Sequence, residues 1–285
     1  MRIGVVVINY RSEERTLRFV REELSKISAA HAVVVVDNGS TDETSARLAA
    51  GLADGAQQTF LVPSRENLGF AKGNNLGFEF AEKHFRPDLV LFSNNDVRFT
   101  EPDLVERLAE KLLSLPDAAV IGPKVSGLDG KLQSPAPFIS FWNRHVLVYW
   151  ANLIWSDARK RERLALDYAE HARQGYHYIV SGCFFLVKAA DYRACGGMDP
   201  NTFLYAEEMI LAERLRRIGK RIYYFPEVGV LHEHGAVTTE TFTRDRIRRQ
   251  KLESDIYYYK TYVGTPRWQF LIARFTLFLK KCFHR

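Results

Sequence analysis

Short apolar runs alternate with amphipathic stretches through the first hundred residues of the chain. Uninterrupted apolar runs of this length are typical of strands buried on both faces, whereas the stretches between them space their apolar residues as helices do. The apolar runs are residues 3–8, 32–36, 59–62 and 89–92. The helical stretches are residues 12–28 with Ser12 as the expected cap, the segment that opens at Ser40-Thr41-Asp42-Glu43, and residues 70–85. Repeated strand–helix–strand units predict an α/β fold with a mostly parallel sheet flanked by helices.

The second half of the chain continues this pattern around one segment that is harder to assign. The pattern predicts helices over 101–115 and 206–218, and strands over 118–121, 178–188, 221–225 and 228–232. Residues 138–175 combine aromatic residues with a charged run and fit neither pattern, which indicates an insertion that forms a flap or a lid. We therefore expect a folded domain over residues 1–240, which includes this insertion, and a helical tail over residues 241–285.

Composition narrows the class of protein further. A chain of 285 residues with 46% hydrophobic and 26% charged content can bury a sizeable core, so disorder is not expected. Cys183, Cys195 and Cys282 are odd in number and fit no zinc or disulfide spacing, which favours reduced thiols in a cytoplasmic protein. The opening apolar run is too short for a signal peptide, and no stretch reaches the roughly 20 apolar residues of a membrane-spanning helix.

The positive charge of the chain is concentrated in its tail. Of a net charge of +6, residues 244–285 hold 11 Lys and Arg against 3 acidic residues, a balance of +8, which leaves −2 for the rest. Trp268, Phe270 and Phe275 stand among these basic residues. Such a segment either lies on an anionic membrane surface or packs its aromatic face on the domain, and both interpretations stay open. No nucleic-acid-binding motif accompanies the charge, so we expect no nucleic acid partner.

Four predicted loops at strand ends are rich in groups that hydrogen-bond ligands. The loops are Asn9-Tyr10-Arg11, residues 37–42, residues 67–75 and Asn94-Asn95-Asp96. Because the carboxyl ends of parallel strands meet at one edge of a sheet, the loops should converge there. In that place Asp37 can accept from a pyrimidine imide, Tyr10 can stack on the base and Arg11 can approach phosphate. Asp96 offers a hard oxygen ligand for a divalent cation, although Asn-Asn-Asp on its own also suits a plain turn.

Four motifs in a fixed order carry a resemblance to a known family. The motifs are Val7-Ile8-Asn9-Tyr10, Val-Asp-Asn-Gly-Ser-Thr-Asp at 36–42, Asn-Leu-Gly-Phe-Ala-Lys-Gly-Asn-Asn-Leu-Gly at 67–77, and Asn94-Asn95-Asp96-Val97. Over residues 3–240 the chain resembles the family 2 inverting glycosyltransferases of GT-A fold, especially bacterial rhamnosyltransferase-like members. The glycine-rich motifs of dinucleotide oxidoreductases and of P-loop enzymes are missing from the chain, which counts against both classes.

The resemblance implies a site for a nucleoside diphosphate sugar and a divalent cation, Mg²⁺ or Mn²⁺. The residues that match the family's nucleotide-sugar-binding positions are Asn9, Tyr10, Arg11, Asp37, Asn38, Asn67, Lys72, Asn74 and Asn94. In the family's Asp-x-Asp metal motif Asn94 replaces the first Asp here, so Asp96 should carry most of the metal contact. His232 belongs to a His-Glu-His-Gly segment that resembles the family's late His motif, and it is favoured over His234 as a metal or diphosphate contact.

The resemblance also implies a catalytic base at the start of a helix that faces the acceptor. Glu208 stands in the place of the family's usual Asp, with Glu207 as its nearest rival, and inverting transfer needs one such carboxylate to take the proton of the acceptor hydroxyl. Without the resemblance, two acidic residues in a first helical turn would simply suit the helix dipole. Ser181-Gly182-Cys183 matches the family's segment of small residues beside the acceptor site, and residues 138–175 are placed to form an acceptor-side lid.

These matches predict an enzyme that moves a sugar from a UDP- or dTDP-linked donor to a glycan or lipid-linked acceptor in cell-surface polysaccharide synthesis. We expect a cytoplasmic protein whose tail is suited to peripheral contact with the inner face of the membrane. The chain departs from the family pattern at Asn94 and at Ile210, where many relatives have a further acid. These departures leave an alternative open, which is a non-catalytic nucleotide-sugar-binding or scaffold protein of the same fold. A nucleotidyltransferase ranks lower because residues 9–12 contain no glycine to shape a triphosphate-binding loop.

Overall fold

The computed structural model describes residues 1–53, 58–157, 159–160, 167–233 and 243–283, and within them nine strands form one sheet. The strands are β1 Ile3–Asn9, β2 His31–Asn38, β3 Thr59–Ser64, β4 Leu89–Ser93, β5 Val97–Phe99, β6 Ala118–Gly127, β7 Gly175–His177, β8 Phe184–Lys188 and β9 Arg221–His232. They lie in the order β3-β2-β1-β4-β8-β6-β9-β5, and β7 pairs with the first half of β9. This is the α/β fold that the alternating pattern predicts.

Helices connect the strands and continue beyond the last one. The helices are α1 Glu13–Arg18, α2 Asp42–Ala53, α3 Gly69–Phe85, α4 Leu104–Leu113, α5 Val148–Ile154, α6 Tyr168–His171, α7 Ala189–Ala194, α8 Glu207–Arg217, α9 Arg244–Tyr258 and α10 Arg267–Phe283. Three π-helical turns adjoin them: Phe19–Glu23 after α1, Asn143–Leu147 before α5 and Tyr259–Val263 after α9. The segment that the sequence pattern left unassigned therefore contains α5, α6 and β7 within its described residues.

The first four strands of the sheet create a topological switch point. β1, β2 and β3 step outward in parallel, and the chain then returns to place β4 on the other side of β1, also in parallel. Open α/β sheets bind ligands at such points, outside the carboxyl ends of the strands, because the loops there turn to opposite faces and leave a crevice. The register puts Asn9 directly beside Asp37, as the convergence of the polar loops requires.

Alternate residues of the central strands pack into two separate core layers. Val5 and Val7 of β1 face a layer covered by α2, α4 and the turn after α1, whereas Val6 faces a layer covered by α3, α7 and α8. This alternation follows from the two-residue period of a strand. Because both faces are buried, the interior positions of these strands are apolar, which explains the uninterrupted runs in the sequence.

The tail packs on the domain through a third apolar cluster. Tyr258 and Tyr259 are fully buried there, together with Ala273 of α10, Phe141 of the insertion and Ile210 of α8. Polar contacts reinforce it, since Asp199 Oδ2 accepts from the hydroxyls of Tyr257 and Tyr262, and Ser254 Oγ donates to the carbonyl of Leu204. In the described parts of the chain, no helix combines the length and the apolar character needed to cross a membrane.

Several boundaries differ from those that the sequence predicts. Ser12 precedes α1 without capping it, because its hydroxyl donates to Asn9 Oδ1 and accepts from Asn95 Nδ2. The two strands predicted over 221–225 and 228–232 are one strand, β9, which bulges around residues 226–228 opposite Pro123 and Lys124. The strand predicted over 178–188 is regular only from Phe184, and β8 runs antiparallel between β4 and β6. Each difference depends on a partner distant in sequence.

Gly69 provides a test of how tightly α3 is held against the loop that precedes α8. Gly69 has a φ of +78°, and a Cβ there would lie 2.2 Å from the carbonyl oxygen of Phe203, whereas Gly219 has a φ of +73° with no atom within 4 Å of its Cβ position. Both Gly→Ala changes strain the backbone, but Gly69→Ala also creates a clash. We expect Gly69→Ala to lower the free energy of unfolding by about 1–3 kcal/mol more than Gly219→Ala in urea titrations. Equal losses would contradict close packing at this junction.

Candidate active site

A buried hydrogen-bonded network joins the carboxyl ends of β1, β2 and β4. Asn9 at the end of β1 donates through Nδ2 to Asp37 Oδ1 at the end of β2, over 2.9 Å. Asn9 Oδ1 accepts from the hydroxyl of Thr16 at 2.7 Å, and Asn95 Nδ2 donates to the same hydroxyl at 2.7 Å. Asn9 and Thr16 are fully buried and Asp37 is nearly so. Asn9 therefore acts by holding the Asp37 carboxylate and the two neighbouring loops in place.

A second set of polar contacts joins the end of β2 to the start of α3. Asn38 Oδ1 accepts from the main-chain N–H of Leu68 at 2.8 Å, and Asn38 Nδ2 donates to Asn67 Oδ1 at 3.2 Å. Gly39 has a φ of +85°, and a Cβ on it would lie 2.4 Å from the nitrogen of Asn67. Glycine is required here because the two loops approach so closely. Asn38 and Asn67 thus hold together the loops that the sequence assigns to the nucleotide.

Asp96 and His232 face each other beyond the end of β4. His232 Nε2 lies 3.3 Å from Asp96 Oδ1, and His232 Nδ1 lies 2.8 Å from Gln133 Oε1. Burial lowers the pKa of His232, but its contacts with Asp96 and Cys183 outweigh burial and raise that pKa to about 10. Burial raises the pKa of Asp96, yet the contact with His232 and the charge of Arg15 leave it below its usual value. The two side chains therefore form an ion pair at neutral pH.

Asp96 also offers an oxygen that a divalent cation can use. Asp96 Oδ1 is buried, and its distance from His232 Nε2 is longer than that of a strong charged hydrogen bond. Carboxylate oxygen and imidazole nitrogen both suit Mn²⁺, and Mg²⁺ usually takes one or two carboxylates together with phosphate oxygens. Within the described residues no group of three or more His, Cys, Asp or Glu side chains could hold a metal ion. A cation here would need ligands from a bound diphosphate, and His232 would have to lose its proton to join them.

A strained loop presents two glutamates at the start of α8. Tyr205 and Ala206 have φ values of +76° and +69°, a conformation that residues other than glycine rarely adopt. The loop is held against α3, because the carbonyl of Phe203 accepts from the N–H of Phe70 at 3.0 Å. Strain of this kind persists where the surroundings impose it, and it clusters at functional sites. Glu207 follows directly at the first position of the helix.

Burial raises the pKa of both glutamates, and their surroundings make them unequal. Glu207 is 3% exposed, its Oε1 has no hydrogen-bond partner among the described residues, and the charge of Glu208 raises its pKa further. Glu208 is half-buried and lies against Gly182, where a Cβ would come within 2.3 Å of Glu208 Oε1. Hydrogen bonding from Gly182 and the charge of Arg144 lower the pKa of Glu208 and partly offset burial. The two side chains thus have different surroundings, and the pKa of each lies above that of an ordinary glutamate.

The glutamates line a cavity of about 840 Å³, called the larger cavity below. Glu207, Glu208, Asn94 and His232 contribute to its wall, with the small residues of Ser181-Gly182-Cys183 between them. Arg144 from the turn before α5 and Lys251 from α9 also line it. The insertion and the tail thus help to build the same cavity as the strand ends of the domain.

A second, more open cavity of about 660 Å³ lies beside α1 and is lined by three arginines. Arg11 and Arg18 are exposed, and Arg18 Nη2 lies 3.5 Å from Glu233 Oε2. Arg15 Nη1 is buried without a hydrogen-bond partner among the described residues, and the charge of Arg15 reaches Asp96. Glu233 borders both cavities, so they adjoin each other. A guanidinium nitrogen that lacks a hydrogen-bond partner among the described residues suits an anion such as phosphate.

The remaining site residues that the sequence predicts lie along this edge of the sheet and differ in their exposure. Tyr10 is half-buried with its ring 5.3 Å from the guanidinium carbon of Arg11, and Lys72 is exposed on α3. Asn74 on the same helix is buried, and its Nδ2 lacks a hydrogen-bond partner within the described part of the chain. Asp96 borders a small cleft next to the larger cavity. His234 lies outside the described residues.

Sequence reasoning missed three cations and one amide of the site. Arg15 carried a weak signal, since it lies in the first turn of the predicted helix, four residues after Arg11. Gln133 orients His232, and Arg144 and Lys251 line the larger cavity, but all three lie outside the motifs of the strand ends. No local pattern marks them, because they reach the site only through contacts between distant segments.

The chain is similar to known proteins over most of its length. Residues 1–251 match the family model described as "Glycosyltransferase like family 2". Among curated proteins, the chain is 28% identical over 254 residues to the N-acetylglucosaminyl-diphospho-decaprenol L-rhamnosyltransferase of Mycobacterium tuberculosis. That similarity covers 83% of this chain and 77% of the relative.

Solved structures of low sequence identity share the fold. The mannosyltransferase PcManGT of Pyrobaculum calidifontis, in complex with GDP-Man and Mn²⁺, is 15% identical with a TM-score of 0.57 over 99% of this chain and 75% of that one. GalNAc-T7 with UDP, GalNAc and Mn²⁺ is 13% identical with a TM-score of 0.54, and the match covers 81% of this chain but only 44% of that one. The GT-A fold is thereby confirmed. The chain belongs to glycosyltransferase family 2.

Proposed function

We propose that this protein transfers a sugar, with inversion, from a nucleoside diphosphate sugar to a glycan or lipid-linked acceptor in cell-surface polysaccharide synthesis. The observation that carries the proposal is the glutamate pair at the start of α8, in one cavity with Asn94 and His232. Family membership supports sugar transfer, and the similarity to a rhamnosyltransferase whose name includes a diphospho-decaprenol acceptor supports a lipid-linked one. A structure-stabilising role alone does not account for two buried acids whose pKa values are raised.

In this mechanism Glu208 is the base. Its carboxylate takes the proton of the acceptor hydroxyl while the hydroxyl oxygen attacks the anomeric carbon of the donor sugar. The bond between that carbon and the diphosphate oxygen breaks on the opposite side, so the configuration inverts and a nucleoside diphosphate leaves. Glu207 is the more deeply buried acid, and its protonated form would keep a second negative charge away from Glu208.

The donor is proposed to bind along the carboxyl ends of β1, β2 and β4. Asp37 and Tyr10 would hold a uracil or thymine base, while Asn94 would contact the nucleotide sugar. Asp96 and His232 would hold a divalent cation, which offsets the charge that develops on the leaving diphosphate. The Arg15 guanidinium, whose Nη1 has no hydrogen-bond partner among the described residues, adds positive charge on the same side. Neighbours of the same fold bind Mn²⁺ together with UDP or GDP-Man, which supports the proposed cation.

A cytoplasmic location at the inner face of the membrane is proposed from the tail. One face of α10 packs on the domain through Ala273 and Thr276, which are buried. The opposite face leaves Trp268, Leu271 and Phe275 more than half exposed, and basic residues surround them in the sequence. Exposed apolar side chains one helical turn apart, flanked by Lys and Arg, are typical of helices that lie on anionic lipid.

Glu208→Gln tests the assignment of the base. The amide keeps the size and hydrogen-bonding reach of the side chain but cannot accept a proton, so sugar transfer should fall by about 10²- to 10⁴-fold while nucleotide binding stays intact. Glu207→Gln should reduce transfer much less. Because the base acts only when ionised and its pKa is raised, the wild-type rate should increase with pH through a range above that of an ordinary glutamate. Retained turnover in Glu208→Gln would remove it from this role.

Asp96→Asn tests the donor and metal site. Calorimetric titrations with UDP, dTDP and GDP, in Mg²⁺ or Mn²⁺ and then in EDTA, should show one diphosphate that binds only with metal. We expect that binding to be lost in Asp96→Asn, because the amide is a weaker cation ligand, and to be kept in Asp245→Asn, a 96% exposed control. Metal-independent binding without any transfer would instead favour a non-catalytic nucleotide-sugar-binding protein.

The double change Leu271→Ser and Phe275→Ser tests membrane contact. Both side chains are exposed, so the fold should be retained while the apolar area available to lipid decreases. Sedimentation with vesicles of anionic phospholipid should weaken by at least about tenfold, given the free energy of burying two such side chains. Leu113→Ser, a change of an exposed leucine on α4, is the control. Equal sedimentation of both variants would argue against lipid contact through α10.

A further inference from the structure

A buried carboxylate from the tail fixes Arg144 at the wall of the larger cavity. Arg144 Nε donates to Asp255 Oδ2 at 2.9 Å, and the Asp255 side chain is only 4% exposed. His145 Nε2 lies 3.4 Å from the same oxygen. The contact with Asp255 uses Nε alone, so the two terminal nitrogens of the guanidinium have no hydrogen-bond acceptor within the described residues. These nitrogens are the pair that binds a phosphate in bidentate fashion.

Arg144 shares its cavity with the proposed base and with other cations. Its charge reaches Glu208, which places the guanidinium near the site of proton transfer. Lys251 on α9 lines the same cavity with its ammonium 6.0 Å from the centre of the Tyr205 ring. Lys131 also lines it, but its ammonium is paired with Asp129 Oδ2 at 3.2 Å. The cavity therefore combines carboxylates that suit a hydroxyl with cations that suit an anion. A substrate that carries both groups matches this arrangement.

Arg144 and Lys251 form a different group from the cations beside α1, although Asn94 and His232 of the proposed donor site line the same cavity as they do. Asp96, Arg15 and Arg11 lie beside α1 and β4, where the second cavity and the small cleft are located. Arg144 and Lys251 come from the insertion and from α9, and neither borders those two spaces. The protein thus has two groups of cations, and the group with Arg144 shares its cavity with the glutamates. Transfer between two substrates that both carry phosphate would use both groups.

The segment around Arg144 packs against α10, the helix that also has an exposed apolar face. Phe141 and Trp142, within three residues of Arg144, contact Phe270 and Trp268 of α10 through their rings, at centroid distances of 4.4 and 5.9 Å. An acceptor whose phosphate rests on Arg144 therefore lies close to the surface proposed to contact lipid. Building on the proposed function, we propose that Arg144, supported by Lys251, binds the diphosphate of a lipid-linked sugar acceptor. Asp255 acts as a positioning residue for Arg144.

Binding of farnesyl diphosphate to the full chain tests this subsite without any turnover. Calorimetric titration is carried out with the donor site occupied by saturating UDP or dTDP and Mg²⁺, whichever nucleotide the protein binds. Wild-type protein should bind farnesyl diphosphate, and Arg144→Ala should weaken that binding by about 10- to 100-fold, the loss expected for charged hydrogen bonds to phosphate. Arg144→Lys should recover part of the lost affinity, because lysine restores the charge but not the planar guanidinium that binds phosphate in bidentate fashion.

Controls separate this subsite from folding and from the donor site. Arg248→Ala changes an 83% exposed arginine on the same helix as Asp255 and should leave farnesyl diphosphate binding unchanged. Arg144→Ala should keep the wild-type affinity for the nucleoside diphosphate, which also shows that the variant is folded. Unchanged farnesyl diphosphate binding in Arg144→Ala, or displacement of farnesyl diphosphate by the nucleotide, would overturn the proposal. Equal binding of inorganic pyrophosphate and farnesyl diphosphate would overturn the assignment to a lipid.

Failure of the acceptor subsite can be distinguished from failure of the proposed function. Inverting transfer fails as a proposal if Glu208→Gln retains turnover, whatever the affinity for farnesyl diphosphate. The acceptor subsite fails if Arg144 has no effect on that affinity, even when Glu208 proves to be the base. In steady-state assays with a lipid diphosphate-linked sugar, Arg144→Ala should raise the KM for the acceptor and leave the KM for the donor unchanged.

Discussion

The side-chain amide of Asn9 is the contact on which the candidate site depends. It lies at the end of the central strand, beside Asp37 in the parallel register, and it satisfies Asp37 and Thr16 at the same time. Asn95 shares the Thr16 hydroxyl, so three strand ends and α1 meet in one buried network. A buried polar group without its partner costs about 1–3 kcal/mol, so these groups constrain one another to a single arrangement. The positions of the loops that carry Tyr10, Asn94 and Asp96 therefore depend on this network.

The polar groups around Asn9 satisfy one another, whereas Glu207 and Glu208 lie in surroundings that disfavour their charged forms. Burial raises both pKa values, the charge of Glu208 raises that of Glu207 further, and the preceding loop contains two residues with left-handed backbone conformations. The N-terminus of α8 offsets part of this cost through its dipole, as does hydrogen bonding from Gly182 to Glu208. Such a combination does not serve stability. It is consistent with the inverting transfer proposed for this chain, which requires a carboxylate able to accept a proton.

The tail has a structural role within the domain as well as an exposed surface. Tyr258 and Tyr259 are as buried as the strands of the sheet, and Asp255 anchors Arg144 from the insertion. Packing on the domain, one of the two interpretations of its composition, is therefore confirmed for one face. Because a helix has two faces, the second interpretation remains compatible with the first, and contact of α10 with lipid stays a prediction.

The amino-acid sequence alone determined β1 to β4, the helices between them and the edge at which the polar loops meet. Those features follow from local periodicity and from the geometry of parallel strands, so Asn9 and Asp37 could be placed together without a structure. Only the tertiary structure decided that Ser12 joins the buried network, that β9 is one bulged strand, and that Arg15, Arg144 and Lys251 belong to the site. Arg144 and Asp255 are 111 residues apart, and no short window of sequence encodes such a contact. Local patterns specify elements, whereas the partners of a charged side chain depend on how those elements pack.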